Sequence, residues 1–510
     1  MATWASSATS MPRAATRVRA RVGAGGATGR VALRPRRRPV PRAAPVTTST
    51  TPPPFVDFDT TGCGPFPLLD PTRGYTHVSP GVCDTCADSA EARRAWVELL
   101  LGQLPSHRAN AERTAKFLGD ECPPDYTERY RAWEGDYEAY LEEVSKDGVP
   151  KGQGATLLDM VDEKERLLRR RGLDDMFAGL KAGEDAIASV LFHSIASEID
   201  NIWSPNDRTI DTRDTGDDAS AKAAMIRAVI ECCLAGNLFD AGAAAAVQGV
   251  QVGDFCEPCV VEPDSREMSE EEAGRYRLDA DQLAEVFARA RARVSRDASP
   301  GSWRFDSFSE ICERCVETEH PGWRRVVIFC DNAGADVMGM VVLARALAAI
   351  GGEDTKVALV ANTHAALNDV THAELRGFLS SVAGVESGSP TSRRAPGGPS
   401  DPVLAAQMER GRVTAVPSGQ FSTLLDLNRT GPELNAWVEE ELKSVPAGGE
   451  WLVVFDGMGR GLESNWNPAP YFKDGVNALN LAMVKSEINA KRLGAEVYDC
   501  VVKLSVGGSK

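Results

Sequence analysis

The sequence predicts an α/β protein, with a mostly parallel sheet covered on both faces by helices and a long all-helical segment ahead of it. Three observations carry that expectation. From residue 324 onward short apolar runs alternate with amphipathic stretches, as strands do when helices connect them. Between about 88 and 250 apolar residues instead recur three and four apart, and β-branched runs are scarce. Polar residues also gather directly behind successive apolar runs, where an open α/β sheet places its ligands.

Residues 1–50 hold ten Arg, no Lys and no acid, and are rich in Ala, Ser, Thr and Pro. Such a leader reads as an organelle transit peptide, without the apolar centre of a secretory signal. Plastid is the first destination it suggests and mitochondrion the second; a plain disordered tail on a cytoplasmic protein is the other reading. Residues 51–87, rich in Pro and Gly, read as a linker running into a surface arm. In the helical segment 88–250, "EARRAWVELLLGQLPSH" and "RAVIECCLAGNLFDAGAAAAV" show the helical spacing best. Residues 251–320 are acidic, broken by Gly and Pro, and read as a helical Cys-containing insertion with mobile stretches.

The α/β unit is expected over 321–510. Its strands are "VVIFC" (326–330), "VALVA" (357–361), "VTAV" (413–416), "WLVVF" (451–455), "LNLAMV" (479–484) and "EVYDCVVKL" (496–504). The amphipathic "ADVMGMVVLARALAAIGG" stops at its glycines. The stretch 387–402, "SGSPTSRRAPGGPSDP", reads as a disordered surface loop. No internal repeat is present.

The net charge is −16, and −26 without the ten leader arginines. That balance argues against a nucleic-acid binder, which needs a basic face. No apolar run reaches 18 residues, because Glu231 and Arg345 interrupt the best candidates, so no membrane span is expected. A length of 510 residues fits two folded units plus tails.

The ends of the apolar runs carry the chemistry. The first delivers Asp331 and Asn332, the second Asn362 and then Asn368 and Asp369. The third leads to Ser418 and Gly419, the fourth to "DGMGRG" with Asp456, Gly457 and Arg460, and the fifth to Lys485. Carboxylates and amides without His or Cys suit a hard divalent ion such as Mg²⁺ or Mn²⁺. A lysine and Gly-rich turns suit a phosphate. Together they make a site for phosphoryl transfer or phosphate hydrolysis. Taken singly, Asp331 and Asp369 read as helix caps, Lys485 as a solvated lysine and "GMGRG" as a turn; their placement on consecutive strand ends favours a shared crevice.

Six of twelve cysteines form three C-x-x-C pairs, Cys83/Cys86, Cys256/Cys259 and Cys312/Cys315. The last two pairs together are a candidate structural Zn²⁺ site, although they stand further apart than zinc ribbons usually allow. A redox-sensitive dithiol and no special role are the other readings.

Several of these segments together, "VVIFCDNAGAD", "VALVANTHAALNDVTHAEL", "VVFDGMGRGLESN" and "AMVKSEINAKRLGAEVYDCVVKL", resemble the metal-dependent damage-control phosphatase family, once known only as a domain of unknown function (DUF89). The plant stand-alone branch, also found fused behind pantothenate kinases, is the most similar. "LAGNLFDAGAAA", with Asn237 and Asp240, fits the same pattern. The resemblance implies a three-layer, Rossmann-like α-β-α sandwich with an N-terminal all-helical domain folded against the active site. It implies a divalent metal (Mn²⁺, Co²⁺, Ni²⁺ or Mg²⁺) on Asp331, Asn332 and Asp369. It further implies that Lys485 and the turn Asp456–Arg460 contact the substrate phosphate or its neighbourhood, with Asn362, Asn237 and Asp240 lining the pocket; polar helix positions that only cap or pack are the other reading of the last two. Relatives often have Glu where Asp456 stands, and the Cys pairs of 251–320 depart from the family pattern.

The function expected is therefore a metal-dependent phosphatase of a small phosphorylated metabolite. The branch implies 4′-phosphopantetheine or its oxidised or damaged forms, hence metabolite damage control in coenzyme A synthesis; another branch acts on sugar phosphates. Two readings from other classes stand beside it, a thiol- or zinc-regulated binding protein and a methyl transferase. Against the latter, no G-x-G-x-x-G follows the first strand.

Overall fold

The computed structural model describes residues 58, 60–76, 90–146, 156–203, 219–238, 280–297, 303–316, 322–385 and 400–507. The leader 1–50, Cys83/Cys86, Asp240 and Cys256/Cys259 lie outside them. Seven strands form one sheet: β1 (Trp303–Asp306), β2 (Arg325–Phe329), β3 (Lys356–Ala361), β4 (Val413–Pro417), β5 (Trp451–Asp456), β6 (Asn477–Met483) and β7 (Cys500–Val506). Their order is β1-β7-β6-β5-β2-β3-β4. Every neighbouring pair is parallel except β6 and β7, which are antiparallel.

Alternate residues of the inner strands enter two different cores, which is why the strands read as unbroken apolar runs. Val326, Ile328, Leu359, Leu452 and Val454 face one core, shared with helices Ala178–Trp203, Ala219–Leu238 and Ala335–Ile350. Val327, Phe329, Val360, Val453 and Phe455 face the other, shared with helix Pro432–Ser444 and with Phe66, Leu68 and Leu69. The architecture is the expected three-layer α/β sandwich with a helical N-terminal region. A third core belongs to helices Ala90–Gly102, Leu104–Leu118, Tyr126–Ser145 and Leu157–Arg170, built around Trp133, Tyr137 and Leu141. The last of these helices opens with a capping box in which Thr156 and Asp159 satisfy each other's backbone N–H.

The boundaries differ from the expected ones in physically readable ways. The helical segment 88–250 divides: the four helices above, with Leu180 at the start of the next, form one core, while the rest of Ala178–Trp203 and all of Ala219–Leu238 join the core on one face of the sheet. Part of the insertion 251–320 joins the sheet, because β1 pairs with β7 and helix Phe308–Val316 follows it. The arm is no surface feature, since Phe66, Leu68 and Leu69 are buried. Residues 400–402, read as loop, are the cap and start of helix Pro402–Glu409, with Asp401 accepting the Leu404 N–H. Buried Arg345 pairs with Asp200 and Asp401 at 2.7 and 3.0 Å. No helix among the described residues is long and apolar enough to cross a membrane.

Candidate active site

From β2 the chain moves to β3 and β4 on one side, then returns to β5 on the other. The carboxyl ends of β2 and β5 thus flank the switch point, where such sheets bind ligands. Asp331 lies just past the end of β2, and Asp456 is the last residue of β5. The Asp331 N–H donates to Asp456 Oδ2 at 3.1 Å. The segment after β3 is stitched to this point by backbone bonds, Val370 N–H to Asp331 O and Ala333 N–H to Asn368 O, both 2.9 Å. Those bonds bring Asp369 opposite Asn332. Just before it, Leu367 has φ 48, a left-handed backbone that a γ-branched side chain seldom adopts. Its side chain packs against the four-helix core, and that burial offsets a strain of about 1–3 kcal/mol.

Amides orient the carboxylates. Asn362 Nδ2 donates to Asp369 Oδ2 at 3.0 Å and to Ser422 O at 2.9 Å. Asn332 Nδ2 donates to Asp331 Oδ2 at 3.0 Å and to Asp336 Oδ2 at 3.2 Å, and its backbone N–H also reaches Asp336 Oδ2. Asn237 Nδ2 donates to Asp336 Oδ1 at 2.5 Å and Asp456 Oδ1 at 3.0 Å. Its own Oδ1 is buried with no hydrogen-bond partner. Gly457 has φ +77, and a Cβ there would lie 2.0 Å from Asp331 Oδ2; glycine is required on both counts.

Arg460 sits among these acids. Its guanidinium donates from Nη1 to Asp331 Oδ1 and from Nη2 to Asp369 Oδ2, the second at 2.7 Å. Burial pushes the Asp369 carboxyl up to about 8, against the pull of Arg460 and with the repulsion of Asp331. Burial, followed by the nearby Asp336 and Asp331, also holds Asp456 well above the usual carboxylate range. For Arg460 burial works against the charge, but Asp369 and Asp331 more than offset it and hold the guanidinium protonated.

The N-terminal helices reach this site. Lys181 Nζ pairs with Asp175 at 2.7 Å and Glu374 at 2.9 Å, and approaches Asp369 O at 3.5 Å. Asp185 Oδ1 accepts the Gly334 N–H at 2.8 Å. Arg429 pairs with Asp162 at 3.1 Å.

Of the residues expected from sequence, Asp331, Asn332, Asn362, Asp369, Asp456, Gly457, Arg460 and Asn237 form one hydrogen-bonded and packed constellation. Lys485 is half-buried past the carboxyl end of β6, the neighbour of β5, which puts it on this side of the sheet. Ser418 does not present its hydroxyl to the cluster: its Oγ accepts the Gln420 N–H at 3.0 Å within its own turn. Asp240 is outside the described residues. Asp336 is the site residue that sequence reasoning left without a role, and its signal was the second acid of "DNAGAD".

Among the described residues no three Asp, Glu, His or Cys side chains converge to hold a metal ion. The donor set nonetheless fits a hard divalent cation. Asp331 and Asp369 share one positive group, and Asn332, tied to Asp331 Oδ2 and Asp336 Oδ2 through its amide nitrogen, adds an amide oxygen to a donor set of oxygens alone. For the Zn²⁺ expectation, Cys312 and Cys315 are one turn apart on helix Phe308–Val316 and half-buried; their proposed partners lie outside the described residues.

The sequence profile of the damage-control phosphatase ARMT1-like domain matches residues 103–501, a span that contains every site residue above. The chain belongs to the damage-control phosphatase family. A damage-control phosphatase of Arabidopsis thaliana is 26% identical over 415 residues, covering 81% of this chain and 87% of its own. The 4′-phosphopantetheine phosphatase of Mus musculus is 24% identical over 483 residues, 86% of this chain and 48% of that protein. Pantothenate kinase 2 of Oryza sativa subsp. japonica is 25% identical over 450 residues, 86% of this chain and 41% of that protein. The family member thus spans less than half the length of these two larger relatives. A solved DUF89 family protein from Pyrococcus horikoshii aligns with 80% of this chain and 96% of its own at a TM-score of 0.46 and 12% identity.

Proposed function

We propose that this damage-control phosphatase hydrolyses a small phosphomonoester in a divalent-metal-dependent reaction, and that the substrate is 4′-phosphopantetheine or an oxidised form of it. The observation that carries the reading is the convergence of Asp331 and Asp369 on one cationic group at the switch point of the sheet. The substrate class is supported by the mouse relative that bears the phosphatase's name and by the pantothenate kinase relative of Oryza sativa.

A metal held by Asp331, Asn332 and Asp369 would polarise the phosphoryl oxygens. The protein's own groups do the rest. Asp336 and Asn237 hold the Asn332 amide and the Asp456 carboxyl in fixed orientations, so little reorganisation is needed as charge shifts. Lys485, just past the end of the strand next to β5, supplies positive charge towards the leaving oxygen. Gly457 keeps the turn free of a side chain that would strike Asp331.

The test is a phosphatase screen of protein lacking residues 1–50 against a panel of phosphomonoesters, each with Mg²⁺, Mn²⁺, Co²⁺ and Ni²⁺. Turnover of 4′-phosphopantetheine that needs a metal, and that Asp331→Ala abolishes with circular dichroism unchanged, is the expected result. A preference for sugar phosphates overturns the substrate, and an active Asp331→Ala variant overturns the mechanism. We also propose a plastid location from the arginine-rich leader; a reporter fused behind residues 1–60 that stays in the cytoplasm would remove it.

A further inference from the structure

The two carboxylates that a divalent metal would need are already held by a guanidinium. Arg460 bridges Asp331 Oδ1 and Asp369 Oδ2, and it is only 2% exposed. Two buried carboxylates side by side are costly without a cation, and the Arg460 guanidinium touches both. The point on which the two carboxylates converge is also the point where they would hold an ion, so the guanidinium and the ion compete for the same two oxygens.

We propose that Arg460 is a resident counter-ion: it neutralises Asp331 and Asp369 until a divalent metal displaces it, and then turns to receive the phosphoryl group of the substrate. The proposal rests on the metal-dependent reading above and adds an order to it. Once displaced, the guanidinium is still buried and has lost both carboxylate partners. Asp456, the other acid beside it, is already engaged by the Asn237 amide and the Asp331 N–H. The guanidinium then requires an anion from outside, and its planar fork fits a phosphate through two parallel hydrogen bonds. The backbone beneath it stays anchored. Arg460 belongs to the π-helical turn Gly459–Ser464, where Ser464 Oγ donates to Gly459 O at 2.8 Å and the Asn465 N–H to Arg460 O at 3.1 Å. The displacement is therefore a side-chain movement, and isolated π-turns of this kind recur at functional sites. The metal and the phosphate each favour the same Arg460 position, so each strengthens binding of the other.

The experiment titrates Mn²⁺ into the full chain by calorimetry for wild type, Arg460→Gln and Arg460→Lys. Removing the competing charge is expected to tighten Mn²⁺ binding of Arg460→Gln about tenfold, while Arg460→Lys, which keeps a cation, stays near wild type. Inorganic phosphate is expected to bind wild type about tenfold more tightly with Mg²⁺ than without, and that gain is expected to shrink in Arg460→Gln. Arg460→Gln binding Mn²⁺ no more tightly than wild type overturns the inference and leaves the metal-dependent reading intact. No Mn²⁺ binding by any of the three removes both. If Arg460→Gln fails to fold without metal, recovery of its near-ultraviolet circular dichroism on adding Mn²⁺ supports the role. Failure to recover, with wild type binding Mn²⁺ and Arg460→Lys folded, overturns it.

Discussion

Asp336 carries no expected catalytic duty, yet it accepts both N–H groups of Asn332 and the amide of Asn237. One carboxylate thereby fixes two amides that face the cluster. Replacing it by Asn turns an NH₂ towards those donors, and groups that orient ligands are worth about 10–100-fold in metal affinity or turnover. Asp336→Asn is expected to lose that much in both, with its secondary structure intact; wild-type Mn²⁺ affinity would contradict the role. Asp331 and Asn332 were legible because they directly follow a strand-like run, and Asp369 because it lies in the segment behind the next one. Asp336 was not, since an acid in the first turn of a helix reads equally well as a partner for the helix dipole. Arg460 was expected at the phosphate; its pairing with Asp331, 129 positions away, was not expected. Pairing between side chains so distant leaves no trace in spacing. Ser418 failed for a local reason, because a hydroxyl two residues ahead of an N–H can close its own turn.

At the scale of elements, the approach of two helices sets the position of Asn237. Helices Ala219–Leu238 and Ala335–Ile350 meet where a Cβ on Gly236 would lie 2.5 Å from Ala335 O, and one on Gly339 would lie 2.9 Å from Cys233 Cα. Any side chain at Gly236 must push the helices apart and move Asn237 off Asp336 and Asp456. Gly236→Val is expected to destabilise the fold by roughly 1–3 kcal/mol, read from urea unfolding, and to lower turnover beyond what the remaining folded fraction explains. A variant as stable and active as wild type would show that this contact is loose. The inner strands were legible because both faces are buried. β1 was not: it is a four-residue edge strand with alternating exposure and an irregular register against β7. The C-terminal strand starts at Cys500 rather than 496, because Tyr498 takes φ 79 and turns the chain first. The division of the helical segment was equally hidden, as helical periodicity records that a face is buried and not what buries it.

For the whole molecule, the second core depends on chain that precedes the described helices. Phe66 sits edge-on to Phe329 at 5.7 Å, Gly64 bridges Thr430 and Leu69 bridges Phe472. Composition made this stretch look like a tether, because Pro and Gly are common in it and only a few apolar residues do the packing. The arm thereby constrains maturation. If the arginine-rich leader is removed as proposed, a peptidase can trim only as far as about residue 57 before it removes the buried Phe58, which stacks on Phe421, and then the side chains beneath the sheet. Sequencing the mature amino terminus from tissue should find it upstream of that position; a start beyond Leu69 would mean that the second hydrophobic layer closes without its plug.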